Sequence, residues 1–595
     1  MYIWRHQCKS FELEFHTLNA QPHEPHRADF DRRPQPQDNR YDPYRREEGD
    51  HGTLEPHAPQ VTHARLQPQS APRVNIPGQG SVFGATAFSA WTGRPFSKFL
   101  GIKYAHVGKG EKRFQKAEEP RPWFGEFDAT KEPLSCPSFP NLNKVRLEER
   151  HQDLEDCLTV SIYTPDVHGR FPVMFYIHGE FFFDGTSQEA QPDYLLEKNV
   201  VLVAVEYRLA PFGFLALPTE KIPGNAAVTD VIAALKWVQK NIRYFGGDPR
   251  RVTLVGQGAG ASMAHLLSIT PYSNLFHQVI LQSGTALNPY LLTKTPAKHT
   301  TDIAKKAGCL TDSNDAISDC LTTLSTSQIL QAFLKHLYQI QENESQGVGH
   351  YGGFQFTIGD FYGIIPKHPF DLAREYDGEN YLILGGVTRR VGSFYYSSIY
   401  SQKVSRKDLD ALIDIVLKHT VGKEDDSGIW ENLITSQLLV SNIMYKAPLL
   451  EALQQNAKFD PNGTYLYSFD YEGTHKRYRF APFPFDMGVT LSDDNIYLYP
   501  YPEYVAPLDV NDEKVAHIMV DLWTSFATTG VPQSPSVQDW PQMHMITGPY
   551  LSIDQQPEVN DDFVHEFSEY SSSSKVFNAA MGVVRASAGK NMFSN

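Results

Sequence analysis

Val252-Thr253-Leu254-Val255 is a β-branched, apolar run. Gly256-Gln257-Gly258-Ala259-Gly260 is a glycine-rich corner, and Ala261-Ser262 opens a small-residue helix. A G-x-S-x-G corner at the end of a strand holds up a serine hydroxyl for acyl transfer. A histidine base takes its proton, an acid orients the base, and backbone N–H groups hold the oxyanion. The middle position here is Gly258, which has no side chain to attack with. Ser262 comes one helical turn later and is expected to point away from the corner, with no histidine placed by any motif to activate it. No other G-x-S-x-G occurs in the chain.

The elements that position this corner follow from the apolar pattern. Val173–Ile177, Val200–Val205, Val252–Val255, Val279–Leu281 and Tyr381–Leu384 are short apolar runs, as expected of strands buried on both faces of a mainly parallel sheet. Val228, Val231, Ile232, Leu235, Val238 and Ile242 fall at helical spacing, and Gly246-Gly247-Asp248-Pro249 ends that helix. Alternating elements of this kind predict a three-layer α/β domain with helices on both faces of the sheet.

The bulk numbers exclude more than they identify. The chain has 595 residues, with 69 acidic against 54 basic side chains and a net charge of −15. That balance argues against nucleic acid or an anionic membrane as partner. No run of about 18 apolar residues predicts a transmembrane helix. Arg5, His6, Lys9, Glu12 and Glu14 interrupt the start of the chain, and no apolar core of a signal peptide is visible. Residues 1–73 hold seven of the 22 histidines among repeated Pro, Gln, Arg and Asp, without apolar periodicity. This segment is expected to be disordered and polar. Its histidines lack regular ligand spacing, so no metal is expected, and no motif marks a cofactor. Residues 74–570 form the globular domain, and the Ser-rich 571–595 is expected to be a flexible tail. Asn343-Glu344-Ser345 and Asn462-Gly463-Thr464 are candidate N-glycosylation sites.

From residue 74 to 570 the motifs resemble, in order, those of the type-B carboxylesterase/cholinesterase family. Phe99-Leu100-Gly101-Ile102-Lys103-Tyr104-Ala105 is similar to F-x-G-I-P-Y-A, and Glu155-Asp156-Cys157-Leu158 to E-D-C-L. Tyr207-Arg208-Leu209-Ala210-Pro211-Phe212-Gly213-Phe214 resembles Y-R-x-x-x-F-G-F. Phe245-Gly246-Gly247-Asp248-Pro249 and Gln282-Ser283-Gly284 flank the corner as in the family. The resemblance implies an α/β-hydrolase fold with a central, mostly parallel sheet flanked by helices.

The resemblance also locates the catalytic positions. Gly258 stands for the serine and Gln257 for the glutamate before it. In Gly386-Val387-Thr388-Arg389-Arg390-Val391-Gly392-Ser393-Phe394, Val391 stands for the acid. In Gly488-Val489-Thr490-Leu491, Leu491 stands for the histidine, with Asp493 and Asp494 after it. In His178-Gly179-Glu180-Phe181-Phe182, Glu180 and Phe181 replace two glycines of the oxyanion loop. A carboxylate there opposes a developing negative charge. No tryptophan lies between Cys136 and Cys157, so a cage for a quaternary ammonium is not expected.

The resemblance further implies disulfides Cys136–Cys157 and Cys309–Cys320, with Cys8 left over and an oxidising compartment. The function implied is that of the family's non-catalytic members: a secreted or matrix protein with an extracellular protein partner, acting in cell adhesion or matrix contact. The alternatives are an ester hydrolase with a non-standard site, or a small-molecule carrier using the gorge, lined or plugged by Phe181, Phe182 and Phe183. The helix carrying Ile518, Leu522, Phe526 and Ala527 is apolar at core spacing. It is expected to be buried within the monomer, with homodimerisation the alternative.

Overall fold

The computed structural model describes residues 71–138, 154–289, 291–293, 295–343, 355–375, 381–393, 440–477, 487–501, 507–544 and 546–567, with most of 577–585. Cys8 and the polar stretch through residue 70 lie outside the described residues. A strand at Arg73–Ile76 opens the globular part, paired antiparallel with Gly80–Phe83.

Among the described residues, eleven strands form one sheet. In chain order they are β1 (Ala85–Phe88), β2 (Pro95–Lys103), β3 (Thr159–Thr164), β4 (Phe171–Ile177), β5 (Val201–Val205) and β6 (Gly247–Gln257). They continue with β7 (Gln278–Gln282), β8 (Leu382–Thr388), β9 (Thr464–Phe469), β10 (Tyr550–Ile553) and β11 (Glu558–Asn560). Across the sheet the order is β11-β10-β9-β8-β7-β6-β4-β5-β3-β2-β1. Every neighbouring pair from β10 to β5 is parallel. The pairs at the two flanks are antiparallel. The five apolar runs of the sequence fall on β4 to β8, the parallel centre, where both faces are covered.

The register matters for the site. Ile177 pairs with Gly256, Gln257 with Gln282, and Gln282 with Gly386. Four adjacent strands therefore end at the same level, and the loops that leave them start side by side.

Three helices hold this arrangement. Helix α1 (Ala226–Asn241) covers the helical run of the sequence. A short turn and Gly246, at φ +79°, stop it before β6 begins at Gly247. Helix α2 (Ala259–Ser268) follows β6 and is buried along its whole length. Helix α3 (Val510–Thr529) starts at a capping box made by Asp509 and Asp512 and ends at Gly530. Its Ile518, Leu522, Phe526 and Ala527 are buried. Trp523 and Phe526 meet Tyr467 and Tyr465 of β9 edge-on at 5.2 and 6.1 Å. This apolar face is used inside the monomer, which leaves those four residues no part in pairing two copies.

The end of the chain departs from the flexible tail that its composition suggests. Residues 577–578, 580–582 and 584–585 are helical. Ala580, Met581 and Val584 are buried, and Phe577 meets Phe567 edge-on at 5.1 Å. Arg585 pairs with Glu451 at 3.1 Å. Phe577, Ala580, Met581 and Val584 repeat at helical spacing, a pattern the preceding serine run obscures.

Disulfides join Cys136 to Cys157 and Cys309 to Cys320, with Cα atoms 5.0 and 5.9 Å apart. No described helix is long and apolar enough to cross a membrane. Among the described residues, no group of three or more His, Cys, Asp or Glu is placed to hold a metal ion.

Candidate functional site

The corner between β6 and α2 is a tight, strained turn. Gly258 sits at φ +55°, ψ −116°, outside the regions that most side chains occupy. Strand and helix cross so closely that a Cβ on Gly260 would come within 2.0 Å of the Ile177 carbonyl oxygen. A Cβ on Gly256 would likewise come within 2.4 Å of the Gly260 backbone, so the close approach requires these two glycines, while Gly258 is suited to its positive φ. The Gly258 N–H donates to the Gln282 carbonyl at 2.8 Å. The Gly258 carbonyl accepts from the Ser262 N–H at 3.1 Å and from the Ser262 hydroxyl at 3.2 Å.

That last bond settles the role of Ser262 in the turn. Its hydroxyl is buried and folds back on the first turn of its own helix. His265, the nearest histidine on that helix, accepts the Ala286 N–H on Nδ1 at 3.2 Å. Burial pulls its imidazole down to about 4, so it is neutral at ordinary pH.

The loop after β4 carries the expected oxyanion positions. Phe181 and Phe182 adopt φ +55° and +62°, a left-handed backbone that suits glycine far better than phenylalanine. Packing holds Phe182 there. Phe182 is fully buried against Phe214 and Phe356, with centroids 4.7 and 5.2 Å away. Phe183 is buried against Phe333 at 6.3 Å. The rings of Phe182 and Phe183 are thus packed into the interior. The Glu180 side chain lies outside the described residues. His178 is buried and stacked on Tyr207 at 4.3 Å, and burial pulls it down to about 3. Tyr207 in turn donates its hydroxyl to the His178 carbonyl at 2.8 Å.

The expected acid and base loops meet each other and the corner. The Arg390 N–H donates to the Val489 carbonyl at 2.9 Å, and the Ser393 hydroxyl to the Met487 carbonyl at 2.8 Å. The Ser283 N–H, just after β7, donates to the Gly386 carbonyl at 2.8 Å. Gln282 donates its side-chain amide to Asp494 and to Asn495, both at 2.9 Å. Gly258, Gln257, Val391 and Leu491 thus lie on loops gathered at one end of the sheet. Val391 and Leu491 are buried, and neither can accept or hold a proton.

The two aspartates after Leu491 are structural acceptors. Asp493 accepts the N–H groups of Arg477 and Thr490, both at 2.8 Å. Burial pushes both carboxyls up to about 6. Among the described residues neither shows an imidazole partner, which a catalytic acid needs.

Two buried charged features escaped the motif reading. Glu206 lies directly after β5 and accepts from the Thr186 hydroxyl at 2.7 Å, and from the Ser187 N–H and hydroxyl at 2.7 and 2.8 Å. Burial raises its carboxyl to about 7. The signal was an acid closing an apolar strand, just ahead of Tyr207-Arg208. Arg208 grips Asp230 of α1 through Nε and Nη2 at 2.7 and 2.6 Å, both side chains almost wholly buried.

Comparison with known proteins agrees with this geometry. Residues 70–570 match the carboxylesterase family. The chain is 40% identical over 517 residues to glutactin of Drosophila melanogaster, a match covering 82% of this chain and 50% of that protein. It is 28% identical over 497 residues to the acylcarnitine hydrolase of Rattus norvegicus, covering 78% of this chain and 84% of that one. It is 27% identical over 555 residues to neuroligin-3 of Mus musculus, covering 79% and 64% respectively. The chain therefore spans about half the length of glutactin. A parallel sheet whose central strands end together, a glycine-rich corner leading into a buried helix, and a match running from residue 70 to 570 have one explanation: the chain belongs to the carboxylesterase family and has its α/β-hydrolase fold.

Proposed function

We propose that this chain is a non-catalytic member of the family that acts outside the cell, through its surface, in adhesion or matrix contact with a protein partner. One observation carries the reading. The loops that would present nucleophile, acid and base are folded and joined, yet they present Gly258, Val391 and Leu491. The similarity to glutactin supports it, and so do the two disulfides, which suit an oxidising compartment. The carrier reading through an open gorge loses support, because Phe182 and Phe183 are packed into the interior.

Incubated with short-chain nitrophenyl esters and a fluorophosphonate probe, the protein is expected to show neither turnover nor labelling above a heat-treated control. The G258S variant is expected to behave the same way, since a serine without base or acid retains little of the triad's effect. Labelling of the unaltered protein would make it an esterase with a non-standard site. Activity in G258S alone would mean that a base and an acid lie elsewhere in the fold.

Glycosylation has its own test. Asn462 is exposed, in the turn before β9, while Asn343 ends a helix and its side chain lies outside the described residues. Expressed behind a secretory leader in cultured animal cells, the protein is expected to lose apparent mass on amidase deglycosylation, and N462Q to lose less. An unchanged band in both would remove glycosylation from the reading.

A further inference from the structure

The acidic balance of the whole chain hides a local reversal. Residues 231–293 hold five lysines and arginines, Lys236, Lys240, Arg243, Arg250 and Arg251, against one acid, Asp248. The fold gathers these side chains at the end of the sheet opposite the glycine-rich corner. There β4 and β6 begin side by side, with Phe171 paired to Gly247. Lys236, Lys240 and Arg243 recur at helical spacing along α1 and the turn after it, and all three are exposed. Hydrogen bonds tie the neighbouring loops to this stripe. Gln239 donates its side-chain amide to the Pro249 and Leu275 carbonyls, both at 2.8 Å. The Phe171 N–H donates to the Gly246 carbonyl at 2.8 Å, and the Arg251 guanidinium donates to the Arg170 carbonyl. Arg170 and Arg250 are exposed and complete the face with Arg251.

This face is short of counter-charge. Among the described residues, Lys236, Lys240, Arg243 and Arg170 pair with no carboxylate. Asp248 is almost wholly buried, and the Nε atoms of Arg250 and Arg251 each lie 3.5 Å from its oxygens. The other acid on these segments, Asp166, closes the turn before β4 by accepting the His168 N–H at 2.9 Å. Six cations against two acids leave a local excess of positive charge on a protein of net charge −15. Such a field draws in polyanions. Aromatic rings lie among the cations. Lys236 Nζ is 5.7 Å from the centre of the Tyr272 ring, and exposed Tyr244 follows Arg243.

We infer that this face binds a sulfated polysaccharide. The cations meet its sulfate groups, and the guanidinium forks suit oxyanions as they suit phosphate. The tyrosine rings meet the C–H faces of its sugars, which an acidic protein segment lacks. The inference rests on the reading that the protein acts outside the cell, where such polymers lie. It names one surface through which matrix contact is made.

Fluorescence anisotropy of a labelled heparin oligosaccharide on the full chain tests this. Binding is expected in about 0.1 M salt, with log affinity falling linearly as log salt rises. Hyaluronate of equal length carries carboxylates and no sulfate. Hyaluronate and poly-glutamate are each expected to bind at least about 10-fold more weakly. K236E/K240E is expected to weaken heparin by a factor of about 10 or more. K112E/K305E changes the net charge equally at exposed lysines outside these segments, and is expected to stay within about 2-fold of wild type. All four lysines are exposed, so neither variant disturbs the core. No heparin binding overturns the proposal, and so does equal affinity for poly-glutamate. Equal losses in the two double variants, or none in K236E/K240E, also overturn it. Absence of binding leaves the non-catalytic extracellular reading standing. Ester turnover at the opposite end of the sheet would sink that reading without altering these affinities.

Discussion

Replacing Asp230 with alanine is expected to destabilise the protein by about 3–5 kcal/mol, among the largest single-site losses in the chain. The carboxylate receives Arg208 on both oxygens, and both side chains are almost wholly buried. With Asp230 gone, the guanidinium keeps, among the described residues, carbonyl partners alone: Arg113 at 3.1 Å and Ala226 at 3.4 Å. A buried charge without a counter-charge is the cost. The consequence reaches beyond one contact. Arg208 joins the loop after β5 to the start of α1 and to the Arg113 segment, whose own guanidinium binds Glu155 beside the Cys136–Cys157 disulfide. The double variant R208M/D230L removes both charges and fills similar volume. It is expected to recover most of the loss, because breaking a buried pair is far worse than replacing it. Denaturant midpoints of the wild type, single and double variants check both statements. A D230A protein as stable as wild type would mean that water or a relaxed backbone reaches Arg208.

The second large effect depends on pH. Burial is the leading cause of the Glu206 shift, and the hydrogen bonds from Thr186, Ser187 and the Cys136 backbone only partly oppose it. No cation appears among those causes. The folded carboxyl titrates near 7 against 4.5 for the unfolded chain, so the folded state binds its proton more tightly. Stability from this group is full below pH 4.5 and is lost as the pH rises through 7, by about 3 kcal/mol in total. The E206Q variant cannot ionise. Its stability relative to wild type is therefore expected to rise by that amount between pH 4.5 and 8. The difference between the two proteins is the quantity to measure. His178 and His265, depressed to about 3 and 4, act with the opposite sign below about 6.5 and are common to both. A difference independent of pH would show that Glu206 is solvated or paired.

How much of this was written in the chain can be judged residue by residue. The five apolar runs marked the sheet's parallel centre, because strands covered on both faces must be apolar at every position. The corner was legible because a strand crossing a helix at van der Waals distance admits only glycine, as Gly260 against Ile177 shows. The cysteine pairs followed from the family resemblance, and the structure closes both. The C-terminal helix was missed, since composition averages over the serines and hides four apolar residues at helical spacing.

Other features have no local signal because partners far apart in sequence create them. Whether Phe182 and Phe183 would be packed into the interior depended on Phe214, Phe333 and Phe356, brought in from three other segments. Glu206 is an unremarkable acid until Thr186 and Ser187 fold over it and water is shut out. Gly258 makes the same point. The absence of a serine was plain from one letter of the sequence. That a Cβ at this position would meet no other atom of the described residues, while one on Gly260 would strike the Ile177 carbonyl, follows only from how the surrounding strands and loops meet. Residue type sets which atoms are available, and the approach of distant backbone sets what they face.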